Sequence, residues 1–164
     1  MDYSSTMYQT LVALHLLAAV AWIGGMLFLS LVLAPLVKGR KAVPEFMALF
    51  RSAALRFRIV VWVAIAVLLT TGPVLLARRG MMLTSPSSWS SIATLKISLV
   101  LLLLVVTALH DLVLGPQVSQ ASAIPPSSRT TWQQWVVATA RWLPRFSLLL
   151  SLAVIGVAVI FARS

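Results

Sequence analysis

Cysteine is absent from this chain. Disulfides, thiolate catalysis, Cys-ligated zinc and iron–sulfur clusters are therefore excluded. Acidic residues are almost absent too, with Asp2, Glu45 and Asp111 the three among 164 residues. Histidine occurs twice, at His15 and His110. That stock is too small to assemble the nucleophile, base and acid of a soluble-type hydrolase. Charged residues make up 10% of the chain and hydrophobic ones 60%, with a mean hydropathy of +1.00. An average soluble domain is roughly 25% charged, so the composition implies an integral membrane protein. The formal charge of +10 does not point to nucleic acid. Its lysines and arginines sit in short connections between apolar runs, where they set topology and attract anionic lipid.

Four apolar runs approach the ~20 residues that cross a bilayer core. The first is LVALHLLAAVAWIGGMLFLSLVLAPLV, Leu11–Val37, closed by Pro35 and then Lys38, Gly39, Arg40 and Lys41. It is preceded by MDYSSTMYQT, which lacks Lys and Arg, and is too long for a signal-peptide core, so it reads as a retained span. The second is Ile59–Ala77, closed by Arg78-Arg79-Gly80. The third runs from about Ile92 to Leu114, where Gly115-Pro116 is expected to stop the helix. The fourth runs from about Trp142 to Ala162. The expected fold is all-α: one membrane domain over residues 1–164, a four-transmembrane-helix bundle with spans near 8–37, 59–77, 92–114 and 142–162. Residues 38–58 interleave Phe46, Met47, Leu49 and Phe50 with Arg51, Arg56 and Arg58, the pattern of an amphipathic interfacial helix running into span two. Trp132, Trp135, Val136 and Thr139, behind the possible caps Ser127 and Ser128, suggest a second. No internal repeat stands out at this level.

The connections at 38–58 and 115–145 share one side and carry nine basic residues; the opposite side carries Arg78, Arg79 and Arg163. The positive-inside rule then places both termini outside and the amphipathic loop helices in the cytoplasm. The expected location is the plasma (inner) membrane of a bacterium, with the lipid bilayer as partner and no nucleic acid. Other membrane subunits or a homo-oligomer would add to it.

Polar groups inside hydrocarbon are costly and therefore informative. His15 lies about seven residues into the first span, ~10 Å deep at 1.5 Å per residue. Lys96 lies about five residues into the third, ~8 Å deep, at a matching level in the outer half. His110 follows ~21 Å further along that helix. Lys96, Leu103 and His110 are spaced by sevens, with Thr107 one turn before His110, so the four share one side. Trp22, one heptad below His15, would floor a pocket, with Gly25 and Met26 continuing that face. Each residue also has a plainer reading. Lys96 can snorkel to the headgroups; His15 can bond a neighbouring helix; His110 and Asp111 can form an interfacial pair meeting Arg56 or Arg58. Gly24-Gly25 can simply allow close helix approach. Met7, Met81 and Met82 offer soft thioethers to Cu(I) at the outer face.

LHLLAAVAWIGGMLFLSLVLAPL, a basic loop, an RxRxxxW start to span two, the pair Thr71-Gly72 and LKISLVLLLLVVTALHDLVLGP together resemble the copper-resistance D (CopD-type) membrane domain. More distantly they resemble the HemJ-type protoporphyrinogen oxidase. The resemblance covers most of residues 8–118. It implies four spans and a b-type haem in the outer half, with His15 and Lys96 at the positions of the haem-associated histidine and lysine and His110 at that of the later histidine. It implies His15 as axial ligand and Lys96 as a second iron ligand or a propionate contact. Trp22 lines the pocket, and Arg78 or Arg79 pairs with propionates. The chain departs from the HemJ pattern at Ala108-Leu109, where an aromatic is expected, and lacks the arginine after the proline closing span one. Two other functions fit the residues. One is copper import or tolerance, with His15, Met81, Met82 and less directly His110 as ligands and Met26 along the path. The other is a non-catalytic accessory subunit of a larger membrane complex.

Overall fold

A computed structural model describes residues 3–39, 44–81 and 84–163. All regular structure among them is helical. Four stretches are long and apolar enough to cross a membrane: Ser5–Leu36, Glu45–Ala77, Ser91–Ala121 and Thr131–Arg163, of 32, 33, 31 and 33 residues. At 1.5 Å per residue each is ~46–50 Å long, well beyond a hydrocarbon core of ~30 Å. The elements are α1 (Tyr3–Leu27), a π-helical segment (Phe28–Leu33), α2 (Ala34–Gly39), α3 (Pro44–Ala77), α4 (Ser91–Ala108), a second π-helical segment (Leu109–Leu114), α5 (Gly115–Ser122) and α6 (Thr131–Arg163). They form two compact units, Met1–Trp89 and Ser90–Ser164, each an antiparallel helix pair.

Three expectations are corrected. First, the second amphipathic segment is not separate from its span: residues 131–141 and the fourth span are one helix, with Pro144 inside it. Residues 44–58 do run into the second span as one helix, as expected, with Pro73 inside it. The loop closers Arg40 and Lys41 lie outside the described residues. Second, Ser127 and Ser128 do not cap α6. They lie in a 3-10 turn, Pro126–Ser128, and the cap is a reciprocal box. The Gln133 N–H donates to Thr130 Oγ1 at 3.3 Å, and the Thr130 N–H donates to Gln133 Oε1 at 3.0 Å. Two orphan donors are thereby satisfied together.

Third, Pro35 and Gly115-Pro116 do not end their helices. A proline has no N–H and its ring clashes with the carbonyl four residues back. Here each proline is preceded by one wide π turn. The Ala34 N–H reaches back five residues to Leu29 O, and the Gly115 N–H to His110 O. The wider turn relieves the conflict, and the helix continues. The two π segments stand at a constant shift of 81 residues, Phe28 to Leu109 and Leu33 to Leu114. They end in nearly the same words, LVLAP at 31–35 and LVLGP at 112–116. That shift also sets His15 on Lys96 and Trp22 on Leu103. Trp22 and Leu103 are both fully packed, at 3% and 1% exposure. The second helices repeat as well, at a shift of 86: Val61, Ala64 and Ile65 correspond to Ser147, Leu150 and Ser151, all buried.

In the first pair the core is Ala18, Trp22 and Ile23 against Val61, Ala64, Ile65 and Leu76. α1 and α3 come close at Gly25, where an added Cβ would run into the Phe57 ring. In the second pair Ala93, Leu103 and Val106 pack with Val136, Leu150 and the small residues Ser147 and Ser151. Small residues let helices approach where no hydrophobic gain separates protein from lipid. Most other leucines and valines face outward, among them Leu17, Val20, Ile59 and Leu149 at 65–67% exposure, an apolar perimeter suited to lipid. α3 ends on Gly80, whose φ of 75° permits a Schellman closure: the Met81 N–H donates to Leu76 O and the Gly80 N–H to Ala77 O.

The neighbouring glycines separate by their surroundings. A Cβ on Gly24 meets nothing within 4 Å, whereas one on Gly25 meets Phe57. Gly25→Val should therefore cost about 1–3 kcal/mol by overpacking, and Gly24→Val much less. Thermal unfolding of the two variants in detergent compares them directly, and equal losses would contradict the packing at Gly25.

Candidate functional site

The first helix pair carries the chemistry in one place. His15 is half-buried on α1, and its Nδ1 lies 2.8 Å from Oγ1 of Thr71 on α3. Thr71 is 5% exposed, and its hydroxyl also lies 2.6 Å from Val67 O, one turn back along α3. The next residue, Gly72, leaves the edge of the imidazole uncovered: an added Cβ would stand 3.6 Å from His15 Cε1. Pro73 follows and removes one backbone donor, so the sequence Thr-Thr-Gly-Pro is a locally loosened stretch of helix. Hydrocarbon offers the ring nothing to bond, and α3 supplies the hydroxyl.

Trp22 lies one heptad beyond His15, as expected. Its indole is 3% exposed, and Nε1 has no hydrogen-bond partner among the described residues. A buried donor left unpaired costs about 1–3 kcal/mol, and native structures seldom keep one without a use. Gly25 lies against Phe57 and is closed off, so the face continues through Gly24 and Met26 only as half-buried surface.

The other expected residues take distinct places. Arg78 and Arg79 are exposed in the turn after α3, at the end of the helix that holds Thr71. Met81 is half-buried just beyond the turn, Met7 is 50% exposed on α1, and Met82 lies outside the described residues. In the second pair Lys96 is half-buried, with Nζ 4.9 Å from the centroid of the Phe161 ring. That is cation–π geometry, the posture of a charged ammonium. Leu103 and Thr107 on the same side are buried, and Thr107 donates to Leu103 O at 2.8 Å. His110 lies in the second π segment, with Nδ1 3.1 Å from Asp111 Oδ1 and its side chain 41% exposed, so the histidine–aspartate pair is present. No group of three or more His, Asp or Glu that could hold a metal ion occurs among the described residues.

In the sequence Thr71 stands out only as part of the pair Thr71-Gly72, without its partner. Its signal was available, a hydroxyl followed by glycine and proline inside an apolar span, but nothing in the sequence alone pairs it with His15. The plainer reading of His15, a bond to a neighbouring helix, is present. It engages Nδ1. No protein-family model matches the chain, and neither a curated protein nor a solved structure is significantly similar to it.

Gly72 tests the packing of this site. A methyl at 3.6 Å is ordinary contact, and alanine is the better helix former, so Gly72→Ala should be neutral or stabilising by up to about 1 kcal/mol. Gly72→Leu should cost about 1–3 kcal/mol by pressing on the ring. Thermal unfolding in detergent reads both, and a marked loss in the alanine variant would contradict the open edge at His15.

Proposed function

We propose that the protein is a multi-pass membrane protein that binds a b-type haem through His15 and serves a redox reaction at that cofactor. The observation that carries this reading is the fastening of His15: a histidine inside an apolar helix, held at one ring nitrogen by a buried hydroxyl of the packed helix. Metal-ligating histidines characteristically have their second nitrogen fixed by such an outer partner. The residues present also fit the group in other respects. The unpaired indole donor of Trp22 suits an acceptor on a bound molecule, and the uncovered edge at Gly72 leaves room beside the imidazole. An apolar helical environment with an inward histidine is a common setting for haem.

Bound haem supplies one-electron redox chemistry; the chain supplies ligand identity, burial and charge. His15 presents a nitrogen, Thr71 orients it, and the apolar faces exclude water. The resemblance to CopD-type and HemJ-type domains extends the set to Lys96 and Arg78. The ammonium posture of Lys96 over Phe161 favours a propionate contact over a bond to iron, which would need the neutral amine. In this reading the chain sits in the plasma membrane of a bacterium, with both termini outside by the nine-to-three distribution of basic residues.

Membranes expressing the protein should show a Soret band that His15→Ala abolishes or shifts and Lys96→Ala perturbs. His110→Ala should leave it in place. A purified protein that stays colourless after haem reconstitution would end this reading.

A further inference from the structure

Arginine bounds the apolar run of the fourth span at both ends. Residues 146–162, between Arg145 and Arg163, carry no charge and measure ~26 Å at 1.5 Å per residue. A hydrocarbon core of ~30 Å takes up the whole run, so Arg145 is held at the level of one headgroup layer. Trp142 lies one turn before it on the same face of α6. The indole is 66% exposed, and Arg145 Cζ stands 4.7 Å from the centroid of its ring. Arg145 is exposed as well. Trp132 and Trp135 stack on each other at 5.5 Å, but they lie ~16–21 Å up the helix from Phe146. That is beyond a headgroup layer ~5–8 Å deep, which leaves Trp142 and Arg145 as the pair at the right level.

The charge of this arginine is not balanced nearby. Residues 112–164 contain no aspartate or glutamate, and Asp111, just before them, meets His110. Among the described residues Arg145 has no carboxylate partner; it rests on the indole. Stacking covers a face of the guanidinium and leaves the N–H donors in its plane pointing outward. Such a fork matches two oxygens of a phosphate, and an indole suits the border between acyl chain and headgroup. We propose that Trp142 and Arg145 form a binding site for an anionic phospholipid. Arg145 takes the phosphate, and Trp142 both fixes the guanidinium and packs against the upper acyl chain. The occupant is a lipid and not a soluble anion, because the exposed residues that continue the face, Phe146 at 49% and Leu149 at 65%, are apolar. A zwitterionic lipid fits less well, since its own ammonium sits beside the phosphate and is repelled by an unbalanced arginine. The site is independent of any cofactor at His15.

The test is native mass spectrometry of the full-length protein released from nanodiscs made of equal parts phosphatidylcholine and phosphatidylglycerol. The parent protein should retain phosphatidylglycerol in preference. Arg145→Gln should cut that preference about fivefold, the pull of one arginine at a membrane surface. Trp142→Leu keeps the charge and an apolar side chain but releases the guanidinium, and should cut it about two- to fivefold. The double variant should lose no more than Arg145→Gln alone, as two residues of one site do. Circular dichroism checks that each variant keeps its helices, and if Arg145→Gln fails to fold, Trp142→Leu decides. Equal retention of the two lipids by the parent would overturn the proposal, and so would an unchanged preference in either folded variant. If excess inorganic phosphate erased the preference, the site would belong to a free anion. If the substitutions changed the oligomer mass and not the lipid adducts, the face would be a contact between copies of the chain. Either result overturns the lipid site.

Discussion

Inside hydrocarbon no solvent completes a hydrogen bond, so every polar atom of a spanning helix must find its partner in protein. Several side-chain hydroxyls among the described residues meet that constraint by reaching back along their own chain. Thr10 donates to Thr6 O, Thr94 to Ser90 O, Thr107 to Leu103 O and Ser151 to Leu148 O. A hydroxyl is short enough to reach back one turn. His15 instead meets a group outside α1, the Thr71 hydroxyl of α3. Thr71 Oγ1 lies 2.6 Å from Val67 O and 2.8 Å from His15 Nδ1, so one hydroxyl serves its own helix and the neighbouring one. The general constraint on the spans thus becomes a specific orientation at one residue.

The prolines obey the same constraint in the backbone. Proline inside a helix leaves a carbonyl without its donor and places a ring against it. At Pro35 and Pro116 the preceding residue reaches back five positions and widens the turn, so the chain neither stops nor opens to lipid. The same solution appears twice, each time with an LVL-(Ala or Gly)-Pro ending. π segments of this kind are enriched near functional sites, and His110 with Asp111 occupies the second one.

The existence of four long apolar helices was legible from composition and run length alone, because both follow from the bilayer's thickness. The helix ends were less legible. Gly115-Pro116 is a terminator in water, but in an apolar chain an ended helix exposes carbonyls that nothing else will bond, and continuing through a π turn costs less. The capping box at Thr130 and Gln133 was present in the sequence as T-x-x-Q and was masked by the serines before it. Of the site, His15 and Trp22 could be located from their cost in hydrocarbon. Thr71 could not, since a threonine in a span is inexpensive once it bonds its own helix, and only the packing of α1 on α3 gives it a second partner.

Equivalence of His15 and Lys96 gives one position on the repeated plan two physical uses. At His15 a short, rigid side chain cannot leave its level, so its partner must come from the flank of the packed helix, and α3 offers a hydroxyl beside a glycine. At Lys96 a long, flexible side chain can climb, and it rests on Phe161, two residues before the last described residue of α6. Exchanging the partners would satisfy neither: a lysine at the first position would place an ammonium beside a single hydroxyl deep in an apolar pair, and a histidine at the second could not reach the end of its helix. Each side chain is thus matched to what its partner helix presents, a hydroxyl for His15 and an aromatic ring for Lys96.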